Sequence, residues 1–332
     1  MLATQTLTTT IQNVIDAVTS PLISKKISDN VTENIPLIRF MDRTGHKEYE
    51  SGGDCYEPLV LMDLPSGEAY TGSTPLKTVQ ADTTRRAKYE RKQIHVPILV
   101  TGTELLRSAG NGETALVNYM ETQLDQARLG MINTLAGTSV GIQSSQSDSD
   151  LGITGLSTLI TSTPTSGTVG GLSRATYDKW RQKVNAVATG WNTDGLISLS
   201  ALFLDTMRGD ESAGAITMTS AGFANFIRSL QGTITFNMPN GPATAPVDLG
   251  FPGINYFGAT VFHDYYQPSN TAYLLNLKYM KLVVHKERDM SIRPFLSDYN
   301  SDSECARLYW AGNLICSALS RQGLLYGLVE TW

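Results

Sequence analysis

The sequence predicts an α+β protein carrying two projections, on three observations. A long amphipathic helix occupies residues 112–136, helix and strand alternate through 174–230, and β segments run from Gly253 to the end. Ahead of these lie a Thr/Ser-rich stretch, 1–36, and a glycine- and proline-punctuated stretch that follows it.

Composition sets the outer bounds. The 332 residues are 41% hydrophobic and 17% charged, enough apolar mass for one large or two modest cores. Aromatic residues at 8% exclude an intrinsically disordered chain, which could not offset its ordering entropy by burial. Lys and Arg number 26 against 31 Asp and Glu, so the net charge is −5, the wrong sign for a sequence-independent nucleic-acid binder. Three cysteines, Cys55, Cys305 and Cys316, are too few and too scattered for a disulfide framework. No stretch approaches the ~18 apolar residues of a membrane span, and the N-terminus lacks the basic start of a secretion signal. A folded, cytosolic chain without a membrane partner is expected.

In residues 1–36, Ile11, Val14, Ile15 and Val18 give one short amphipathic stretch, which Pro21 interrupts and Pro36 closes. Such a stretch makes no core of its own. It either frays or packs elsewhere as an arm, and ~35 extended residues reach on the order of 115 Å. Residues 38–92 read as extended pieces separated by Gly45, Gly52, Gly53, Pro58, Pro65, Gly67, Gly72 and Pro75, with strands at Tyr56–Met62 and Lys88–Val100. Charge divides this stretch. Residues 42–68 hold seven acids and two bases, whereas 77–92 hold six bases and two acids. An acidic outgoing limb and a basic returning limb suit a two-stranded loop, a structure that is marginal in water without support, such as a neighbouring copy would give. A solvated face of mixed charge is the plainer alternative.

In the 112–136 helix, Leu116, Met120, Leu124, Ala127, Met131 and Leu135 form one apolar stripe, with Gly137 expected to end it in a left-handed conformation. Residues 137–171 read as a polar loop or small hairpin rather than core. Helices are expected at Arg174–Val187, Leu199–Arg208 and Ala221–Leu230, and a strand at Ala215–Thr219. Further strands are expected at Ala259–His263, Thr271–Leu277, Leu282–His285, Ser291–Phe295, Ala306–Ala311 and Asn313–Ala318. Turns separate them at Pro268–Asn270, Glu287–Asp289 and Asn300–Ser303.

Chemical motifs are sparse. Gly137-Thr-Ser-Val-Gly141 has the spelling of a nucleophile elbow, but a helix precedes it where a strand is required. His285-Lys-Glu287 is half of a zinc-deaminase signature without the Pro-Cys-x-x-Cys half. His263-Asp264 could begin a metal site, yet the four histidines (46, 95, 263, 285) lie far apart and suit structural roles. Cys305 and Cys316 fall in β segments, where a free thiol acts as a small hydrophobe. No phosphate-binding loop or dinucleotide fingerprint is present. No catalytic, cofactor-binding or metal-binding residue is assigned, and no enzyme is expected.

The order of elements resembles the major capsid proteins of tailed bacteriophages, the Hong-Kong-type shell fold shared with encapsulins. The most specific local likeness is Phe257-Gly-Ala-Thr-Val-Phe262-His-Asp followed by Tyr273-Leu-Leu-Asn-Leu-Lys-Tyr-Met-Lys-Leu282, with the Ala221-Gly-Phe-Ala-Asn-Phe226 helix after an apolar strand. The resemblance implies an N-terminal arm (1–36), an extended β-hairpin loop (37–92), a peripheral domain (93–184 and 286–332) with spine helix 112–136, and an axial domain (185–285). It also implies a structural subunit that forms hexamers and pentamers of an icosahedral virion capsid, built in the host cytoplasm around double-stranded DNA. Because the chain begins directly with the arm, either scaffolding is expected to be a separate protein or the sequence is that of the mature form; a portal is expected besides. Some members cross-link a loop Lys to a neighbour's Asn with a Glu assisting. Lys77 is suitably placed, but no matching Asn and Glu stand out, and no cross-link is expected. A mildly acidic lining would let duplex DNA slide during packing. An encapsulin-type compartment is the alternative within the fold, and a hydrolase using Ser139 the alternative outside it.

Overall fold

The structure, a computed structural model, describes residues 36–53, 55–65, 67–73, 83–109, 113–188, 190–230, 254–297 and 302–328. The 1–36 arm up to Pro36, Asn111 and Gly112 (either of which the sequence offers as the cap of the long helix), Lys77 and the start of the Asn300–Ser303 turn lie outside those residues. The chain divides into two units. One contains Gln93–Thr134 and Glu287–Ala311, and the other contains Asn34–Lys92, Leu135–Lys286 and Gly312–Trp332.

In the first unit, strand Lys92–Thr101, which belongs to it from Gln93 onward, leads into helix Gly102–Ala109, which no expectation covers. Its start carries the Glu half of a capping box. The buried Glu104 carboxylate accepts the Thr101 backbone N–H at 2.8 Å, so Thr-x-x-Glu closes the helix's first turn on itself. Helix Glu113–Ala136 follows, 24 residues and about 36 Å long at 1.5 Å per residue. Ala127, Met131 and Leu135 of the expected stripe are buried. Gly137 is not left-handed; the chain instead turns through residues 138–140, and Ile142 N–H reaches the Leu135 carbonyl at 2.8 Å. Strand Ser291–Ser297 pairs antiparallel with the first half of strand Ser303–Cys316, and the register shifts between Arg293 and Leu296. Pro294, with no N–H to donate, lies at the shift. The two strands expected at 306–311 and 313–318 are one. Gly312 stays extended because the strand is paired along both stretches, Ser291–Ser297 facing Glu304–Tyr309 and Met280–Val284 facing Gly312–Cys316.

The second unit holds a six-stranded sheet in the order Ile254–Tyr256, Ala259–His263, Ala215–Met218, Thr271–Leu275, Gly323–Tyr326, Lys183–Ala186. Helix Ser220–Leu230 connects the parallel neighbours Ala215–Met218 and Ala259–His263, the crossover that a parallel pair requires. Thr219 caps it, its Oγ1 accepting the Gly222 N–H at 3.1 Å. Phe223, Phe226 and Leu230 join Leu199, Leu202 and Phe203 of helix Leu196–Thr206 in one core against the sheet. The expected strands and helices of 199–275 thus stand within a few residues of their places.

Three stretches differ from expectation. Residues 36–43 form a helix bracketed by Pro36 at its first position and Gly45 (φ 76°) after its end, where His46 N–H bonds the Met41 carbonyl at 2.8 Å. Residues 174–187 form no α-helix. The Arg174 and Ala175 carbonyls that a helix would use accept the Arg181 guanidinium (2.6 and 2.9 Å), and Lys183–Ala186 pairs as a strand with Gly323–Tyr326. Residues 137–171 are core as well as loop. Ile142, Ile153, Leu156, Leu159 and Val169 are buried, and Gly155 lies where any Cβ would strike the Ser144 backbone.

Polar groups inside the second unit explain how so polar a segment folds. The Asp148 carboxylate accepts Thr154 Oγ1 (2.8 Å) and the Gly170 N–H (2.7 Å). Lys92, 5% exposed, donates its ammonium to the Asp148 and Asp150 carbonyls at 2.6 Å each. Lys92→Met keeps the stem but leaves two carbonyls without their donor, so it lowers unfolding free energy by about 2 kcal/mol in urea denaturation of the subunit.

Candidate assembly surface

Residues 55–61 and 84–90 form the two-stranded ribbon that the charge pattern suggests. Cys55–Tyr56 pairs antiparallel with Tyr89–Glu90, and Leu59–Leu61 with Thr84–Arg86. Pro58 interrupts the expected Tyr56–Met62 strand, its carbonyl accepting the Ala87 N–H at 3.1 Å. The acidic and basic limbs meet: Arg86 Nη1 stands 3.6 Å from Glu57 Oε2, and Arg91 lies over the Tyr56 ring.

The ribbon has two unequal faces, as period-2 alternation dictates. Tyr56, Val60, Met62, Ala87 and Tyr89 are buried. Tyr89, fully buried, anchors the base by donating its hydroxyl to the Cys316 carbonyl at 2.8 Å, and burial pushes its pKa well above the usual value. Leu59 and Leu61 point the other way, 70% and 59% exposed, and Leu64 and Tyr70 beyond them are 68% and 67% exposed. Four large apolar side chains on one projection are more than isolated surface hydrophobes, and they read as an uncovered interaction surface.

The residues examined for chemistry do not converge. Ser139 is exposed in the turn after the long helix, without the strand a nucleophile elbow needs. His46, His263 and His285 are half-buried and His95 is exposed; His263 packs on Phe223 and His95 on Tyr309. Burial lowers the His46 pKa, with Lys281 acting in the same direction. Among the described residues no group of three or more His, Cys, Asp or Glu could hold a metal. Burial pushes the Cys316 thiol up to about 12, which makes it inert, and neither Cys55 nor Cys305 forms a disulfide. Asp264, 1% exposed, accepts Gln143 Nε2 at 3.0 Å and the Tyr266 N–H at 3.1 Å. It is a structural carboxylate whose role no local motif announces, because its partner lies 121 residues away.

No protein-family model matches the sequence, and no curated protein sequence is similar to it. The fold has close counterparts among solved structures. The chain is similar to the capsid subunit of cyanophage A-1(L), with a TM-score of 0.68 at 19% identity, covering 92% of this chain and 95% of that one. It is also similar to the capsid of Myoviridae phage XM1 (TM-score 0.55, 10% identity, 92% and 96% covered). The SrpI encapsulin of Synechococcus elongatus PCC 7942 aligns at TM-score 0.51 and 10% identity, with 92% and 94% covered. The fold is the Hong-Kong-type capsid shell fold.

Asp264 makes stability depend on pH. Burial raises its pKa above the unfolded value, outweighing the two hydrogen bonds that lower it. Its favourable contribution is therefore complete below the unfolded pKa and is lost as pH rises through the raised folded value. Asp264→Asn raises the denaturation midpoint at about pH 7 and flattens the pH dependence on the acid side, measured by urea titration across that range.

Proposed function

We propose that the chain is the structural subunit of an icosahedral tailed-phage capsid, which assembles with copies of itself into a closed shell without catalytic turnover. The observation that carries this reading is the pairing of a shell fold along nearly the whole chain with a ribbon whose Leu59, Leu61, Leu64 and Tyr70 row is uncovered. A two-stranded ribbon cannot bury both of its faces, and a second copy of the same chain is the partner a closed symmetric assembly provides. Repetition multiplies a modest contact around the shell, so no single interface has to be tight.

In this reading residues 37–92 are the extended loop, 93–184 with 286–332 the peripheral domain, 185–285 the axial domain and 1–36 the arm. The subunits form hexamers and pentamers of a virion capsid assembled in the host cytoplasm, with a separate scaffolding protein and a portal. Double-stranded DNA is enclosed without sequence-specific contacts. A net charge of −5 suits that role, because a basic lining would hold phosphates by counterion release and resist packing. The encapsulin likeness supports a second reading, a compartment that encloses protein rather than DNA.

Expression of the full chain, alone and with the products of adjacent genes, followed by negative-stain microscopy and nuclease-protection assay, tests the proposal. Closed particles of uniform size that protect DNA support the capsid. Particles that enclose a co-expressed protein instead support the compartment, and a chain that stays monomeric at high concentration overturns both. Leu61→Asp reduces particle yield by roughly tenfold, while its unfolding free energy stays within about 0.5 kcal/mol of wild type, because Leu61 is exposed in the free subunit.

A further inference from the structure

In the first unit, strands Ser291–Ser297 and Lys92–Thr101 both pair with strand Ser303–Cys316. Side chains along a strand alternate between two faces. Ala306, Leu308 and Trp310 are buried, which puts Arg307 and Tyr309 on the outward face. Across the ladder Arg293 is the direct partner of Arg307, and Ser291 of Tyr309. Both arginines are exposed. Like charges directly opposite one another destabilise a sheet, so the fold carries this pair at a cost.

Further cationic groups converge on the same place. Arg288, in the turn before Ser291, and Arg293 both stand over the Tyr309 ring, 5.4 and 5.7 Å from its centroid. A hydrogen bond to Tyr309 also holds the Arg307 pKa above its usual value. The exposed His95 ring lies 6.4 Å from the same ring. Glu287 and Asp289 flank Arg288 in the chain, yet among the described residues no ion pair includes Arg288, Arg293 or Arg307. Arg288 donates instead to the neutral Gln93 side chain. One tyrosine thus gathers three guanidiniums on an outward sheet face.

That arrangement selects its ligand. A guanidinium is a planar fork of donors that matches phosphate or carboxylate oxygens two at a time. Residues two apart on a strand stand about 6.6 Å from one another, so several such forks side by side suit a polymer of repeating anions. A docked peptide draws its affinity from buried apolar anchors, and the groups gathered at Tyr309 are polar. Sequence-independent nucleic-acid binding is almost wholly electrostatic and needs no such anchor. The chain's net charge of −5 counts against a polyanion binder as a whole. Charge acts locally, however, because salt screens it beyond about 8 Å at physiological ionic strength.

We propose that this sheet face binds the phosphodiester backbone of a nucleic acid without reading its sequence, with Arg288, Arg293 and Arg307 donating to phosphate oxygens. The assignment goes beyond the shell reading and does not depend on it. Three contacts per subunit make a weak, salt-sensitive site, which leaves a bound strand free to move on.

Fluorescence anisotropy of a dye-labelled duplex of about 20 base pairs, titrated with the full chain, tests the proposal. Binding is expected to weaken roughly 40-fold between about 50 and about 200 mM salt, the dependence of three released counterions. A duplex of unrelated sequence is expected to bind within about twofold. Arg307→Glu puts a carboxylate opposite Arg293, so it lowers affinity at least tenfold while the urea midpoint stays at or above that of wild type. Wild-type affinity in this variant overturns the site. Should it fail to fold, Arg288→Gln with Arg293→Gln is read in the same way. Lys179→Glu with Arg208→Glu changes two exposed bases of the second unit and alters net charge more, yet leaves affinity within about threefold. An equal loss there overturns a local site. Polyglutamate that competes as well as unlabelled duplex assigns the face to an acidic peptide and also overturns it. Closed particles from a chain that binds no duplex overturn this inference and leave the shell reading standing, whereas duplex binding by a chain that forms no particles does the reverse.

Discussion

One hydrogen bond and the burial around it decide what the ribbon can do. Tyr89, wholly enclosed, ties the returning limb to the Cys316 carbonyl, and Lys88 N–H bonds the Gly170 carbonyl at 2.9 Å one residue earlier. The base of the ribbon is thereby part of the second unit's body, while Leu59, Leu61, Leu64 and Tyr70 beyond it stay exposed. A free hairpin of this size would be marginal in water. Anchored at one end, it presents Leu59, Leu61, Leu64 and Tyr70 in a defined direction, and that lowers the ordering cost a partner meets on binding. Burial of each such side chain contributes about 1.5–3 kcal/mol when complete, so one seated ribbon supplies an association energy that repeats around a closed shell.

The same economy governs the segment between the long helix and the sheet. A Ser/Thr/Gly-rich stretch has too few apolar groups to order itself by burial alone. Here buried charge supplies the order. Lys92 gathers two carbonyls, Asp148 closes onto Thr154 and Gly170, and Arg174, 1% exposed, donates to the Thr158 and Leu159 carbonyls at 2.8 and 2.5 Å. Among the described residues Arg174 has no carboxylate beside it, and burial lowers its pKa. A cation held only by peptide carbonyls retains its charge but is costly to desolvate, so it specifies one arrangement of the loop more than it stabilises the fold.

These two features mark where the sequence is legible. The axial strands and helices, 199–275, are visible in it because each carries a local period: Phe223, Phe226 and Leu230 at helical spacing, Ala259–His263 as an apolar run bounded by turns. The ribbon is visible through charge, since opposite limbs of opposite sign bring Glu57 to Arg86. Two missed helices had local signals as well: the Thr101-to-Glu104 capping box, and Pro36 and Gly45 bracketing 36–43. What could not be read is convergence. Trp180, Val184 and Val187 sit at helical spacing, yet Trp180 donates Nε1 to Val169 and the following residues pair with a strand near the C-terminus. Tertiary pairing overrides local propensity at such positions.

Charge distribution then matters more than net charge. At −5 overall the chain is unremarkable, but its acids and bases are sorted, with acids gathered in 42–68, no base from 57 to 73, and bases gathered in 77–92. Sorted charge on an otherwise apolar projection sets which contact forms first. Long-range attraction acts before burial does and is screened beyond about 8 Å at physiological ionic strength, whereas apolar burial is short-ranged and indifferent to orientation. A subunit that relied on Leu59, Leu61, Leu64 and Tyr70 alone would stick to any apolar surface. Asp63 beside them makes a wrong contact costly, because a carboxylate covered without a matching cation would have to be desolvated. Asp63 therefore acts chiefly on fidelity, and the leucines supply the holding force.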